Sequence, residues 1–163
     1  MYIEKGKEVA QQSFLALSSQ LMGAMKEGGA VHAINYCNLQ AVPLTDSLSK
    51  AYQVAIKRTS DKWRNEKNKP TELEAEIISW YLEDKKVGRE LLPKVVSLKD
   101  NEVLFAAPIL INSQCLKCHG TPADIDDQSL DLLKKHYPND DAQGYKPNDL
   151  RGIWSITFKS PKY

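Results

Sequence analysis

The chain has 163 residues, of which 42% are hydrophobic, and its formal net charge at pH 7 is +1. This length is typical of one domain, and this hydrophobic fraction excludes both a disordered chain and an integral membrane protein. The near-zero charge argues against a basic nucleic-acid-binding domain, and the three cysteines are too few for a disulfide-rich scaffold. We predict a single domain over residues 1–163, with a helical N-terminal part at 1–50 and a sheet-bearing part at 51–163.

The N-terminus and the apolar runs bear on targeting and on membrane association. The opening residues, Met-Tyr-Ile-Glu-Lys-Gly, lack the apolar core of a signal peptide. The longest apolar run, residues 103–111, is too short for a spanning helix and contains Pro108. We therefore expect no membrane segment in this chain. The missing signal fits either a cytoplasmic protein or an exported protein from which the signal was removed.

Two apolar stripes with spacings of three and four predict helices in the first part of the chain. Gly28-Gly29 is a stop signal for the first helix, and Pro43 predicts that the second kinks or ends near it. The N-terminal helix either packs within the chain or forms the seam of a homodimer, since its stripe fits both. The apolar positions are Ala10, Phe14, Leu17, Leu21 and Ala24 in the first stripe, and Ala30, Ile34, Cys37 and Ala41 in the second.

The rest of the chain mixes helix and strand signals. Thr71 and Glu74 have capping-box spacing and predict a third helix, and a fourth is predicted at residues 124–135. Apolar and polar residues alternate in segment 52–56, which predicts a strand. Strands are also predicted at 95–98, 103–111 and 154–158, and a hairpin turn is predicted at 99–102. Helices followed by an antiparallel meander predict an α+β domain. The inner face of the third helix is predicted to hold Leu73, Ile77, Trp80 and Tyr81.

Charge is unevenly distributed along the chain. Residues 57–70 contain six basic and two acidic side chains, whereas residues 124–149 contain seven acidic and three basic ones. These two patches either pair with each other, steer a partner or form solvated faces. Solvated faces are the ordinary explanation.

The most specific motif is Cys115-Leu116-Lys117-Cys118-His119, the C-x-x-C-H pattern of c-type haem attachment. Two thiols at this spacing reach the two vinyl groups on one edge of the porphyrin and form thioethers. The adjacent His119 then projects under the iron and supplies an axial nitrogen. The motif predicts one covalently bound haem c.

Two other chemistries use a C-x-x-C pair. A zinc site would need Cys37, His32 or His136 to complete a tetrahedral set, and a thioredoxin-like redox pair would need a βαβ context. The chain has no second C-x-x-C and no paired-histidine motif. Zinc binding is therefore a remote alternative.

Haem attachment would also bear on location and on the remaining cysteine. Covalent haem attachment in bacteria takes place outside the cytoplasm, so we expect a periplasmic or otherwise extracytoplasmic protein whose export signal was removed. With Cys115 and Cys118 consumed in thioethers, Cys37 is the odd cysteine in an oxidising compartment. It is either a small buried hydrophobe or an axial thiolate on the distal side of the iron.

Four other side chains compete with Cys37 for that position. His32 lies about 140° round the helix from Cys37, so the two cannot face one haem. His136 lies in a polar turn, where a surface or capping role is expected, and core packing explains Met22 and Met25. From these residues alone, both interpretations of Cys37 remain open.

Four motifs in order resemble a bacterial family of PAS-like c-type haem domains, first filed as a domain of unknown function and often fused to sensor kinases. The resemblance covers most of the chain, with loop departures at Glu66, where the family favours proline, and at Asn148, where glycine is common. The motifs are Ala33-Ile34-Asn35-Tyr36-Cys37 with Ala41; Lys57-Arg58-Thr59-Ser60 with Arg64-Asn65, Asn68 and Pro70; Cys115-Leu116-Lys117-Cys118-His119-Gly120; and Tyr137-Pro138 with Asp140 or Asp141, Ala142, Gly144-Tyr145 and Arg151-Gly152.

The resemblance implies a PAS-like antiparallel sheet with long N-terminal helices and flanking helices that enclose one haem c. It also implies axial ligation of the iron by a histidine and a cysteine, which carries over to His119 and Cys37. A thiolate ligand stabilises ferric iron. With both axial positions filled, no site remains open for oxygen or peroxide, so we do not expect an enzyme.

Such a haem fits an extracytoplasmic redox or small-gas sensor that acts on a signalling partner. On reduction we expect the thiolate bond to weaken, which would free the helix that carries Cys37. The alternative is a periplasmic monohaem electron-transfer cytochrome that docks on a redox partner protein. Arg58, Arg64 and Arg151 are candidate partners for the haem propionates, because guanidinium matches carboxylate bidentately.

Overall fold

The computed structural model describes residues 1–159. Its four strands form one sheet in the order β1-β4-β3-β2, and every neighbouring pair is antiparallel. This architecture confirms the predicted α+β class. In chain order the elements are α1 (Tyr2–Tyr52), β1 (Ala55–Thr59), α2 (Glu72–Lys86), β2 (Lys94–Ser97), β3 (Val103–Leu110), α3 (Leu116–His119), α4 (Asp127–His136) and β4 (Leu150–Phe158).

The helix α1 spans 51 residues, and its backbone angles depart from helical values at the pair Gly28-Gly29. Gly28 has φ −154° and ψ 21°, and Gly29 has φ 70° and ψ −163°. The second of these conformations is accessible to glycine almost alone. The glycine pair therefore ends the first regular stretch of helix, as its stop signal predicts, and a second helical stretch follows directly across the kink. Among the described residues, no helix has both the length and the apolarity to cross a bilayer.

The helix does not end near Pro43, which was one of the two outcomes predicted there. The backbone stays helical through Pro43 and continues to Tyr52, where Gln53 closes the helix in the left-handed conformation with φ 55°. The ring of Pro43 deprives only the carbonyl of Leu39 of its partner, and Leu39 is 66% exposed, so water can replace that hydrogen bond. Because the helix extends this far, β1 begins at Ala55, later than the strand segment predicted at 52–56.

The first half of α1 packs on one face of the sheet. Val9 and Ala10 contact the buried side chains of Phe105, Trp154 and Ile156. The helix approaches so closely that a Cβ atom at residue 6 would overlap the ring of Phe105. The buried face of α1 is thus built from small residues.

This close approach overturns part of the predicted stripe. Phe14 is 47% exposed and Leu21 is 37% exposed, whereas the small residues Gly6, Ala10 and Ser13 are buried. Large apolar residues at the stripe positions would hold the helix away from the sheet. Volume at the contact, rather than hydrophobicity alone, selects the inner face.

The helix α2 covers the other face of the sheet. Its predicted capping box is confirmed: the Thr71 side chain accepts from the Glu74 N–H, and the Glu74 carboxylate accepts from the Thr71 N–H. Ile77, Ile78 and Tyr81 are buried against residues of β3 and β4. Trp80, predicted on the inner face, is 41% exposed, and Ile78 occupies the inner position instead.

Candidate functional site

The C-x-x-C-H motif occupies two consecutive turns that begin at an asparagine cap. The Asn112 side chain accepts from the N–H groups of Gln114 at 3.0 Å and Cys115 at 3.2 Å. The short helix α3 follows directly and places Cys118 and His119 on its single turn. All three cysteines are free thiols, and each is half-buried. The motif is therefore held in shape by its own local hydrogen bonds.

His119 is oriented by a backbone carbonyl. Its Nδ1 lies 2.8 Å from the carbonyl oxygen of Ala142, and because that oxygen only accepts, Nδ1 carries the proton. The other ring nitrogen, Nε2, then has a lone pair available for a metal ion. Burial lowers the pKa of His119 well below its ordinary value, and the charges of Arg151 and Arg64 lower it further, so the imidazole is neutral at pH 7.

The structure brings Cys37 to this motif from the far part of α1. Burial raises the pKa of the Cys37 thiol, while the charges of Arg58 and Arg64 act in the opposite direction. Burial also raises the pKa of Cys118, and Cys37 is among the groups near enough to raise it further. Cys118 also packs on the apolar cluster that contains Ile34, three residues before Cys37, so this part of α1 lies against the motif.

Arg64 braces the site against the loop that precedes β4. Its Nε donates to Asp140 at 3.0 Å, and its Nη2 donates to the carbonyls of Cys118 at 2.5 Å and Ala142 at 3.2 Å. Burial alone would raise the pKa of Asp140, but the Arg64 hydrogen bond and charge hold it below its ordinary value. Arg64 therefore fixes both the motif and the carbonyl that orients His119.

The other two predicted arginines flank the same region. The Arg58 guanidinium lies 5.9 Å from the centre of the Trp154 ring, and that of Arg151 lies 5.5 Å from the centre of the Tyr145 ring. Arg151 also donates to the carbonyl of Lys62 at 3.1 Å. Together with Arg64 they give the region an excess of positive charge that suits an anionic group.

The two charged segments meet at one ion pair and at hydrogen bonds beside it. Besides the Arg64–Asp140 ion pair, Lys62 donates to the carbonyl of Gln143 at 2.6 Å, and Asn139 donates to Glu66 at 2.8 Å. Pairing, one of the alternatives that the sequence left open, thus holds for Arg64 and Asp140, whereas Asp124, Asp126, Asp127 and Asp131 are exposed, as expected of a solvated face. Glu66, a departure from the family pattern, makes its own contact here.

The rival ligands lie elsewhere or are occupied. His32 is exposed as expected, with its Nε2 3.3 Å from Glu27. His136 is half-buried rather than on the surface, and it contacts Asn35 and Asn38. Within residues 1–159, no three His, Cys, Asp or Glu side chains form a group able to hold a metal ion. The zinc set considered from the sequence is not assembled there.

Comparison with known proteins identifies the family. The model of the Tll0287-like family matches residues 3–159, so the chain belongs to this family. Among solved structures it is similar to the crystal structure of the cyanobacterial heme-protein Tll0287, at 19% identity over 98% of this chain and 97% of that chain, with a TM-score of 0.68. That likeness shows a shared fold. No protein of curated function matches the sequence. The recognition made from the four motifs is confirmed.

Proposed function

We propose that this protein binds one haem c, attached through Cys115 and Cys118, with His119 and Cys37 as the axial ligands. The proposal depends above all on one observation: Cys118 packs on the apolar cluster that contains Ile34, three residues before Cys37, although some eighty residues separate the two cysteines in the chain. The heme-protein of similar fold supports the choice of cofactor.

The donor set of the chain fits this cofactor. Cys115 and Cys118 are unpaired thiols at the spacing of the two porphyrin vinyl groups. The Ala142 carbonyl holds His119 with Nε2 free, and a neutral imidazole is the form that ligates iron. The cations of Arg58 and Arg151 suit the two propionate carboxylates, whereas Arg64 already has two of its nitrogens bonded to protein oxygens.

The ligand pair favours signalling over catalysis. When bound, haem supplies a one-electron couple between ferric and ferrous iron. The Cys37 sulfur would donate electron density and stabilise the ferric state. Because His119 and Cys37 would both ligate the iron, they would leave no position for a substrate, and we propose a sensor of redox state rather than an enzyme. A small gas could bind only where the Cys37 bond is lost on reduction, so a gas sensor would depend on that loss.

The position of Cys37 on α1 suggests how a change at the site would reach the rest of the molecule. Cys37 lies in residues 30–52, after the glycine kink, whereas the first part of α1 packs on the sheet through Val9 and Ala10. Releasing or tightening the Cys37 contact would shift the second part relative to the first. A helix held at one end by a breakable bond is a bistable element of the kind that switches use.

We also propose an extracytoplasmic location, because the protein carries a motif for covalent haem attachment. Bacterial attachment of haem to a C-x-x-C-H motif takes place outside the cytoplasm, and the redox partner or signalling partner would meet the protein there. Cys37, if it ligates iron, is protected from oxidation to a disulfide in that compartment.

The test compares wild type with Cys37→Ala after expression in a host competent for cytochrome c maturation. We expect wild type to carry the added mass of one haem, to keep its colour through acid-acetone extraction, and to give a low-spin ferric EPR signal with sulfur ligation. Cys37→Ala should keep the haem and lose that signal. His32→Ala, an exposed histidine on the same helix, is the matched control and should resemble wild type.

Three outcomes would contradict parts of this proposal. Haem extracted by acid-acetone would exclude covalent attachment, and unchanged optical and EPR spectra in Cys37→Ala would exclude Cys37 as a ligand. A haem that keeps both ligands in the ferric and ferrous states and exchanges electrons rapidly with a soluble protein would favour the electron-transfer cytochrome over the sensor.

A further inference from the structure

The end of α4 contacts α1 on both sides of Cys37 through one histidine. The Nε2 atom of His136 lies 2.7 Å from Asn35 Oδ1, and its Nδ1 lies 3.5 Å from Asn38 Nδ2. An amide oxygen only accepts, so Nε2 carries the proton and donates to Asn35. Nδ1 is then the acceptor for the Asn38 amide. His136 thus bridges two neighbouring turns of α1.

Apolar contacts surround this polar bridge. Leu133, less than one turn before His136 on α4, is buried with Ile34 of α1. Tyr137, the residue after His136, packs on the same cluster, and it lies close enough to Cys37 for a thiolate there to raise the pKa of Tyr137, an effect second to that of burial. The end of α4 therefore contacts α1 before Cys37, at Ile34 and Asn35, and after it, at Asn38.

We propose that His136 is a positioning residue that sets the rotation of α1 about its own axis and so directs the Cys37 sulfur toward the iron. This inference depends on the ligation proposed above. Successive residues on a helix differ by about 100°, so a small rotation moves a side chain out of reach of a fixed point. Apolar contacts permit such sliding, whereas hydrogen bonds are directional.

The kink in α1 explains why a local anchor is needed. Residues 30–52 are joined to the first part of the helix through Gly28 and Gly29, whose backbone angles are not helical, and they return to the sheet only at Leu48 and Tyr52, well after Cys37. The first part therefore does not transmit its own rotation rigidly to Cys37. Both ring nitrogens of His136 are engaged by asparagines, so this histidine serves the site without ligating the metal.

The test uses three variants of the haem-loaded protein. His136→Ala removes the bridge, and His136→Gln replaces the imidazole with an amide side chain that has both a donor and an acceptor. Leu130→Ala weakens the apolar contact between α1 and α4 and leaves the bridge in place. In ferric EPR and absorption spectra we expect His136→Ala to show a partial loss of the sulfur-ligated low-spin signal and a new high-spin fraction. His136→Gln should recover most of the wild-type signal. Leu130→Ala should lower the melting temperature and leave the spectrum unchanged.

The outcomes of these variants distinguish the positioning role of His136 from the proposed ligation of the iron by Cys37. If Cys37→Ala resembles wild type, the ligation is wrong and the positioning role with it. If Cys37→Ala loses the signal while His136→Ala retains it, or if Leu130→Ala loses as much as His136→Ala, the ligation stands and the positioning role is wrong. Should His136→Ala fail to fold, Asn35→Ala removes the shorter of the two contacts and must show the same partial loss.

Discussion

The imidazole of His119 depends on a backbone atom for its orientation, and that atom is itself held by a side-chain network. Ala142 presents its carbonyl to His119 and to Arg64, and its N–H donates to Asp140 at 2.9 Å. The Arg64–Asp140 ion pair closes the network, with both side chains largely buried. The charges that surround His119 therefore also fix its ring.

A single glycine near the start of the chain sets the distance between α1 and the sheet. We expect Gly6→Ala to destabilise the protein by about 1–3 kcal/mol, because the new methyl group overlaps the fully buried ring of Phe105. For a domain of this size such a loss lowers the melting temperature by roughly 2–4 °C for each kcal/mol. Thermal unfolding followed by circular dichroism measures it.

Gly23→Ala is the matched control for that substitution. A Cβ atom at Gly23 meets nothing within 4 Å, and alanine has the higher helix propensity by about 1 kcal/mol. The control should therefore unfold at the same temperature as wild type or higher. If Gly6→Ala does the same, the tight approach of α1 to Phe105 is not a feature of the protein in solution.

At the scale of residues, the sequence predicted the side chains with their own chemistry and missed those that act through the backbone. The C-x-x-C-H spacing identified Cys115, Cys118 and His119 as candidates before any fold was known. The Ala142 carbonyl was out of reach of such reasoning, because every residue has one. His136 was misjudged, since its partners Asn35 and Asn38 lie about a hundred positions away.

The capping box of α2 contains the Glu74 carboxylate, and its charge makes the stability of the folded protein depend on pH. Burial by itself would raise the pKa of Glu74, but hydrogen bonds from Lys57 and from the Thr71 N–H outweigh burial and hold the pKa below its ordinary value of 4.5. Lys57 Nζ lies 2.7 Å from the Glu74 carboxylate, which is 7% exposed. The ionised form is therefore the one that folding stabilises.

The sign of the effect follows from that lowered pKa. The contribution of Glu74 is fully present above about pH 4.5 and is lost as the pH falls through the folded-state value. We expect Glu74→Gln to cost about 1–3 kcal/mol at pH 7 and to flatten the decline of stability in acid. Urea unfolding between pH 7 and pH 3 tests this.

Glu72→Gln, an exposed substitution on the first turn of the same helix, provides the comparison. It should reproduce the wild-type decline in acid. An equal flattening in both variants would mean that the Lys57–Glu74 pair is not the source of the pH dependence.

At the scale of elements, the predicted helix ends and inner faces were wrong where tertiary contacts override local sequence signals. The signals of α2 are local and were sufficient for its start, whereas the exposure of Trp80 depends on which face meets β3 and β4. Pro43 does not end the helix, because the carbonyl that it leaves without a helical partner belongs to the exposed Leu39. These outcomes depend on packing and solvent, which a chain pattern does not encode.

At the scale of the molecule, the kink in α1 separates the part that packs on the sheet through Val9 and Ala10 from the part that carries Cys37 and returns to the sheet at Leu48 and Tyr52. We expect Gly29→Ala to cost about 1–3 kcal/mol, because φ 70° with ψ −163° is strained for any residue with a Cβ atom. The loss should appear in urea unfolding. Gly23→Ala again provides the comparison, and equal stability of the two variants would show that the kink is not required.

The candidate site is assembled from distant parts of the chain, and this determines how much of the protein the cofactor needs. Cys37 comes from α1, Arg64 from the loop after β1, His119 from α3, Ala142 from the loop before β4, and Arg151 from β4 itself. A peptide that contains only residues 115–119 would keep the two thiols for attachment but lose the Cys37 sulfur and the surrounding arginines. Transplanting this chemistry to another scaffold would therefore mean transplanting almost the entire molecule.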